Sequence, residues 1–217
     1  MSGKPIGIFG GTFDPVHFGH LRPASELAEA CDLAEIRFLP CRIPVLKDMP
    51  HASDELRLEM LTAAIADTPG FSVDSRELGR SGPSYSYDTL LELRRENPDA
   101  SLCFMIGLDA WQGFTQWHRW QDILSLAHVV VAQRPGSFGD PDPALLKLVD
   151  RHGITNPQDM HSRPAGNIYF HGVTQLDISS SMIRAKLSQG QDVTGLVPPV
   201  VAGIIKRSGC YQTREAT

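Results

Sequence analysis

The chain has 217 residues, 41% of them hydrophobic, with a formal net charge of −5. That length suits one large α/β domain or a domain with a small appendage, and the apolar share is that of an ordinary globular core. The acidic balance argues against a nucleic-acid partner, which selects a basic surface, and no run approaches the roughly 18 apolar residues of a membrane span.

Apolar runs alternate with amphipathic stretches along the chain. Strands are predicted at residues 6–9, 35–39, 71–74, 102–106, 128–132 and 168–170. Helices are predicted at residues 21–31, 54–67, 87–96, 120–126, 143–151, 181–188 and 199–206. Within 54–67, Leu56, Met60, Leu61, Ala64 and Ile65 recur at spacings of three and four, which makes one apolar stripe. Gly190 and Gly209 stand where helices end, and Pro198 and Pro199 suit the opening of the last helix. Residues 135–143 and 157–166 read as surface loops. Strands alternating with helices predict an open, doubly wound parallel sheet covered on both faces.

The first residues run straight into the first strand, leaving no room for a signal peptide. Cys31, Cys41, Cys103 and Cys210 form no Cys-x-x-Cys pair. Free thiols in a reducing compartment fit that scatter, so a cytoplasmic location is expected and no protein-held metal.

The most informative segment is Gly10-Gly11-Thr12-Phe13-Asp14-Pro15-Val16-His17-Phe18-Gly19-His20, between the first strand and the first helix. Glycine backbone and helix N–H groups at such a switch bind phosphate. A P-loop needs Gly-Lys-Ser/Thr and a dinucleotide site needs Gly-x-Gly-x-x-Gly, and neither is present. His17 and His20 share one face of the first helical turn. As a capping pair they would be ordinary, and as a metal pair they would need a third ligand that the cysteines do not offer. Beside a glycine turn they suit donation to a phosphate. A second cluster, Ile178-Ser179-Ser180-Ser181-Met182-Ile183-Arg184, opens a helix. Its serines can simply cap, but hydroxyls, N–H groups and a guanidinium also clamp polyphosphate.

The segment GGTFDPVHFGH resembles the first signature of the nucleotidyltransferases, in the form found in bacterial nicotinate-nucleotide adenylyltransferases. Residues 178–184 resemble the second signature, with Ser181 where threonine is usual. The resemblance runs nearly the whole chain and implies a Rossmann-like nucleotidyltransferase fold over residues 1–217, with residues 178–217 completing the ATP site. It implies catalytic roles for His17, His20 and Arg184. ATP would be held by Gly10, Gly11, Thr12, Phe13, His17, His20, Gly107, Asp109, Ile178, Ser180, Ser181 and Arg184. The nicotinate nucleotide would be held by Lys47, Ser84, Tyr85, Ser86, Asp109, Trp117, His118 and Arg134. Trp117 would stack on the pyridine ring, and Ser84, Tyr85 and Ser86 would receive its carboxylate at a helix start, which favours an anion over an amide. Ser86 again replaces threonine, and Leu46 replaces the histidine of a Pro-Pro-His-Lys loop, which leaves Lys47 as its basic group. Arg134 either reaches phosphate or only closes its loop.

The implied reaction transfers adenylyl from ATP to nicotinate mononucleotide, with Mg²⁺ arriving on ATP. The rivals are another acceptor, nicotinamide mononucleotide or phosphopantetheine, and a nucleotide-binding sensor without turnover.

Overall fold

The computed structural model describes residues 3–46, 48–133, 142–174 and 176–212. Seven strands form one parallel sheet: β1 (Ile6–Gly11), β2 (Glu35–Pro40), β3 (Phe71–Val73), β4 (Leu102–Gly107), β5 (His128–Gln133), β6 (Gly153–Ile154) and β7 (Ile168–Gly172). Their order is β3-β2-β1-β4-β5-β7-β6, with every pairing parallel.

Side chains alternate across each strand, so the sheet feeds two cores. Cys103 and Met105 of β4 join Phe38 and Val130 on one face, covered by α1 (Phe18–Ala30), α2 (Asp54–Ile65), α7 (Ser180–Ser188) and α8 (Pro199–Ser208). Phe104 and Ile106 join Ile8 and Val131 on the other face. Covering them are α3 (Ser86–Glu96), α4 (Leu108–Gln112), α5 (Trp120–Leu126) and α6 (Pro143–His152). This is the doubly wound arrangement that the alternation predicts.

The chain turns from β1 to β2 on one side, whereas β4 pairs with the other side of β1. Strand order reverses there, and the crevice outside the carboxyl ends of those strands is where open α/β sheets take ligands. Gly10 and Gly11 end β1 on its rim, and Gly107 ends β4.

Several elements differ from the sequence reading. Helix α1 starts at Phe18, before the expected Leu21, and carries Pro23 inside it. Gly19 looks like part of the preceding turn, which hid the first residues of the helix, while Pro23, inside the expected helix as well, lacks an N–H and that loss is outweighed by the packing of Ala24 and Leu27. Strand β6 and helix α4 were not expected, being too short to show a period. Residues 157–166 open with a 3₁₀ helix, Pro157–Ser162, capped by Asn156 and anchored by buried Met160. Residues 134–141 lie outside the described residues, while Asp142 accepts from the Ala144 N–H and starts α6. Gly209 takes the left-handed conformation that ends α8, as its position predicts. Among the described residues, no helix is long and apolar enough to cross a membrane.

Candidate active site

The turn after β1 carries the first group of side chains. Phe13 has φ +49°, an uncommon backbone state for a bulky residue, of the kind that clusters at functional sites. Its ring is buried and meets the His20 ring edge-on at 5.1 Å. The Phe13 side chain therefore backs the histidine, so the ligand contact expected of Phe13 falls to its backbone.

His17 ends the turn as the residue preceding α1, and His20 lies in the first helical turn. Their rings stack with centroids 3.7 Å apart. Burial lowers the His17 pKa to about 4, so the ring is neutral at pH 7. Its Nδ1 is buried with no hydrogen-bond partner among the described residues. A buried polar atom without a partner is costly, and here it lies in the segment that sequence reasoning assigned to phosphate. Gly19 permits this packing: a Cβ there would come within 2.9 Å of the His17 ring and 3.0 Å of the Ile178 carbonyl.

Asp14 holds the turn together. Its carboxylate is 3% exposed and accepts from the His51 N–H at 2.8 Å, the Ala52 N–H at 3.1 Å and the Tyr211 hydroxyl at 2.6 Å. Burial, and then the Asp14 charge, push the Tyr211 pKa upward, which keeps the phenol a donor. Arg184 donates to the Asp14 carbonyl at 2.8 Å and lies 3.7 Å from its carboxylate. Ser180 donates to the Pro15 carbonyl at 3.0 Å. Ser179 caps α7 by accepting from the Met182 N–H. Thus α7 is docked on the turn. The Ser180 hydroxyl proton is spent on that docking, whereas Ser181 is exposed beside Ser179 at 3.1 Å. Fully buried Arg57 donates to the Thr12 carbonyl at 2.6 Å and pairs with Asp54.

The same glycines also line a cavity of about 220 Å³. Gly10, Gly11 and Thr12 share its wall with Gly107, Trp117 and His118. Ser84, Tyr85 and Ser86 line it at the start of α3. Of the three tryptophans, Trp111 is buried against Phe114 and Trp120 packs at its edge, whereas half-buried Trp117 forms cavity wall. His118 lies over the Tyr85 ring at 4.4 Å. The Ser84 hydroxyl is engaged, accepting from the Arg42 N–H at 3.2 Å and bonding Glu77. Helix α3 starts at Ser86, one residue before the expected start, and no side chain caps it. Asp109 is exposed in the first turn of α4 and is absent from the cavity wall. Ile178 is half-buried at its carbonyl contact with Gly19. Lys47 and Arg134 lie outside the described residues.

Asp14, Gly19, Arg57, Tyr211 and Glu77 were missed as site residues. The first two stand inside the signature segment, so a signal existed. Arg57 is a lone polar residue within a patterned helix, and Glu77 and Tyr211 stand in stretches without a motif, so only the fold brings them here.

The family model for cytidylyltransferase-like proteins matches residues 8–186. A protein of Aeromonas hydrophila, named "Probable nicotinate-nucleotide adenylyltransferase", is 46% identical over 98% of this chain and 99% of its own length. The chain belongs to the nicotinate-nucleotide adenylyltransferase family. A nicotinate-nucleotide adenylyltransferase relative from Methylococcus capsulatus is also 46% identical, over 95% of this chain and 99% of that protein. In fold, this member of the family resembles a Plasmodium falciparum nicotinic acid mononucleotide adenylyltransferase complexed with NaAD. The two share a TM-score of 0.73 at 21% identity, covering 96% of this chain and 98% of that one.

Proposed function

We propose that the chain transfers the adenylyl group of ATP to nicotinate mononucleotide, giving nicotinate adenine dinucleotide and pyrophosphate. One observation carries this reading. The glycine turn that presents His17 and His20 also lines a cavity walled by Trp117 and the open start of α3. A triphosphate on the histidine side and a pyridine ring in the cavity would meet across Gly10 and Gly11.

The acceptor phosphate is already an anionic nucleophile, so the reaction needs no general base. Rate comes from positioning and charge stabilisation around an in-line attack on the α-phosphate. His17 and His20 donate to the oxygens of that phosphate as charge shifts toward the leaving group. Arg184 and the amino end of α7, with Ser180 through its backbone and Ser181 through its hydroxyl, hold the β- and γ-phosphates. Residues from 178 onward thereby complete the ATP site. Trp117 stacks on the pyridine ring. The N–H groups opening α3 and the Ser86 hydroxyl receive its carboxylate, since a helix amino end favours an anion.

Mg²⁺ is taken to arrive with ATP. The Asp14 carboxylate is committed to three donors, and among the described residues no group of three or more His, Cys, Asp or Glu side chains is placed to hold a metal. Such a donor set fits a cation that keeps its waters and substrate oxygens. The scatter of four cysteines, two of them buried, supports a cytoplasmic setting.

The test is pyrophosphate release from Mg-ATP with nicotinate mononucleotide, beside nicotinamide mononucleotide and phosphopantetheine. Release with the nicotinate acceptor alone is expected. Release only with another acceptor overturns the cavity assignment, and silence with all three despite ATP binding favours the sensor.

A further inference from the structure

The acceptor cavity contains a paradox. Its proposed ligand is an anion, yet a carboxylic acid, Glu77, lines the wall and is only 7% exposed. Like charges in a region of low dielectric repel strongly, so an unbalanced acid there would reject a ring carboxylate.

The surroundings of Glu77 resolve it. Its Oε1 accepts from the Thr89 hydroxyl at 2.7 Å. That same hydroxyl oxygen accepts from Arg80 Nη1 at 2.9 Å. The Ser84 hydroxyl also bonds the acid and favours its ionised form. Arg80, Thr89 and Glu77 thus form a relay in which the guanidinium faces the acid through one hydroxyl. Arg80 Nη2 also lies 2.8 Å from Glu92, an ion pair out of line for a hydrogen bond. Burial, and to a smaller degree Asp74, act against ionisation of Glu77, whereas Thr89, Ser84 and Arg80 favour it. Charges bordering this network include Arg76, which pairs with Asp74 and lies 3.7 Å from Glu92, and Arg42, whose Nη1 donates to the Arg80 carbonyl. Ser84 and Thr89 bracket the start of α3, so the relay also sets where that helix end points into the cavity.

We propose that Arg80 is a positioning and charge-balancing residue for the acceptor site: through Thr89 it neutralises Glu77, and this balance lets the cavity accept a carboxylate-bearing ring over its neutral amide. This rests on the acceptor reading given above. Arg80 offsets the carboxylate of Glu77 through Thr89, and Glu92 draws on the same guanidinium from its other nitrogen. Removing the guanidinium therefore moves the cavity potential against an anion and leaves a neutral ring nearly unaffected.

The experiment compares kcat/KM for nicotinate mononucleotide and nicotinamide mononucleotide in the parent, Arg80→Gln, Arg80→Lys and the double variant Glu77→Gln/Arg80→Gln. Glutamine can still donate to Thr89 but carries no charge, and lysine keeps the charge. The ratio of the two acceptors should fall about tenfold in Arg80→Gln, in line with one nearby charge at an effective dielectric of ~20. It should stay near the parental value in Arg80→Lys and return toward it in the double variant, with KM for ATP unchanged throughout. An unchanged ratio in Arg80→Gln, an equal loss for both acceptors, or no recovery in the double variant overturns the proposal. If Arg80→Gln does not melt cooperatively, Arg80→Met replaces it with the same outcomes. A parent that does not use the nicotinate acceptor overturns the acceptor reading itself, which separates the two failures.

Discussion

The proposed phosphate side of the crevice draws its groups from both ends of the chain, Asp14, His17 and His20 with Arg184 and Tyr211, whereas the proposed acceptor side is built from residues between Ile8 and His118. The first is a hydrogen-bonded net centred on one buried carboxylate. The second is an apolar pocket with a few polar groups at its start and one balanced acid. The difference follows from what each must recognise. Charge that develops during reaction is stabilised by donors fixed in advance, so the phosphate side spends many hydrogen bonds on rigidity. A flat ring is recognised by surface and by a small number of directed contacts, so the acceptor side needs few.

The largest effect that could break this contrast is His20→Ala. Turnover should fall by ~10²- to 10³-fold, the usual effect of losing one preorganised donor, with the melting temperature little changed. Activity at the parental level would remove the histidines from the chemistry.

Acid should test the net next. Burial holds both His17 and His128 at a pKa of about 4, against 6.5 unperturbed. His128 is fully buried, with its Nε2 facing the Arg163 carbonyl and its Nδ1 accepting from the Asn167 N–H. Between those values the unfolded chain binds protons that the folded chain refuses, so stability rises with pH across the window. It should be complete above about pH 6.5 and be lost as pH falls toward 4, by up to ~3 kcal/mol per ring. Urea unfolding at pH 7, 5.5 and 4.5 measures it, and a flat profile would contradict the burial argument.

Tyr211→Phe sharpens the comparison at a single bond. It removes the 2.6 Å donor to Asp14, and a hydrogen bond to a charged group is worth about 1.5–3 kcal/mol. Stability should drop by that order, and kcat by several-fold, without a change in acceptor KM. An unaltered kcat would mean that the C-terminal contact plays no part in positioning the turn.

The smallest expected effect is on the acceptor side. Trp117→Ala should raise KM for the nicotinate acceptor by about threefold to tenfold, the scale of one aromatic contact, and leave KM for ATP alone. A rise confined to ATP would mean that the two ligands sit the other way round.

The signature segment at residues 10–20 and the serine–arginine cluster were legible because each is contiguous and pairs its chemistry with a strand-to-helix or helix-start position. The strand–helix alternation gave the doubly wound sheet for a similar reason, since period and length are local properties. Helix α4 and strand β6 were not legible, having five and two residues, too few to establish a period.

What the sequence by itself determined, then, was the sheet architecture, and it singled out the two segments to which phosphate chemistry is assigned. Only the tertiary structure decided that the Phe13 side chain faces the core and that the Ser180 and Ser84 hydroxyls are already engaged. It alone brought Tyr211 to Asp14 across 197 positions and placed Arg80 behind Glu77 through Thr89. The reason is physical: backbone periodicity and turn chemistry act between near neighbours, whereas a buried polar atom takes whichever partner the packing brings within reach.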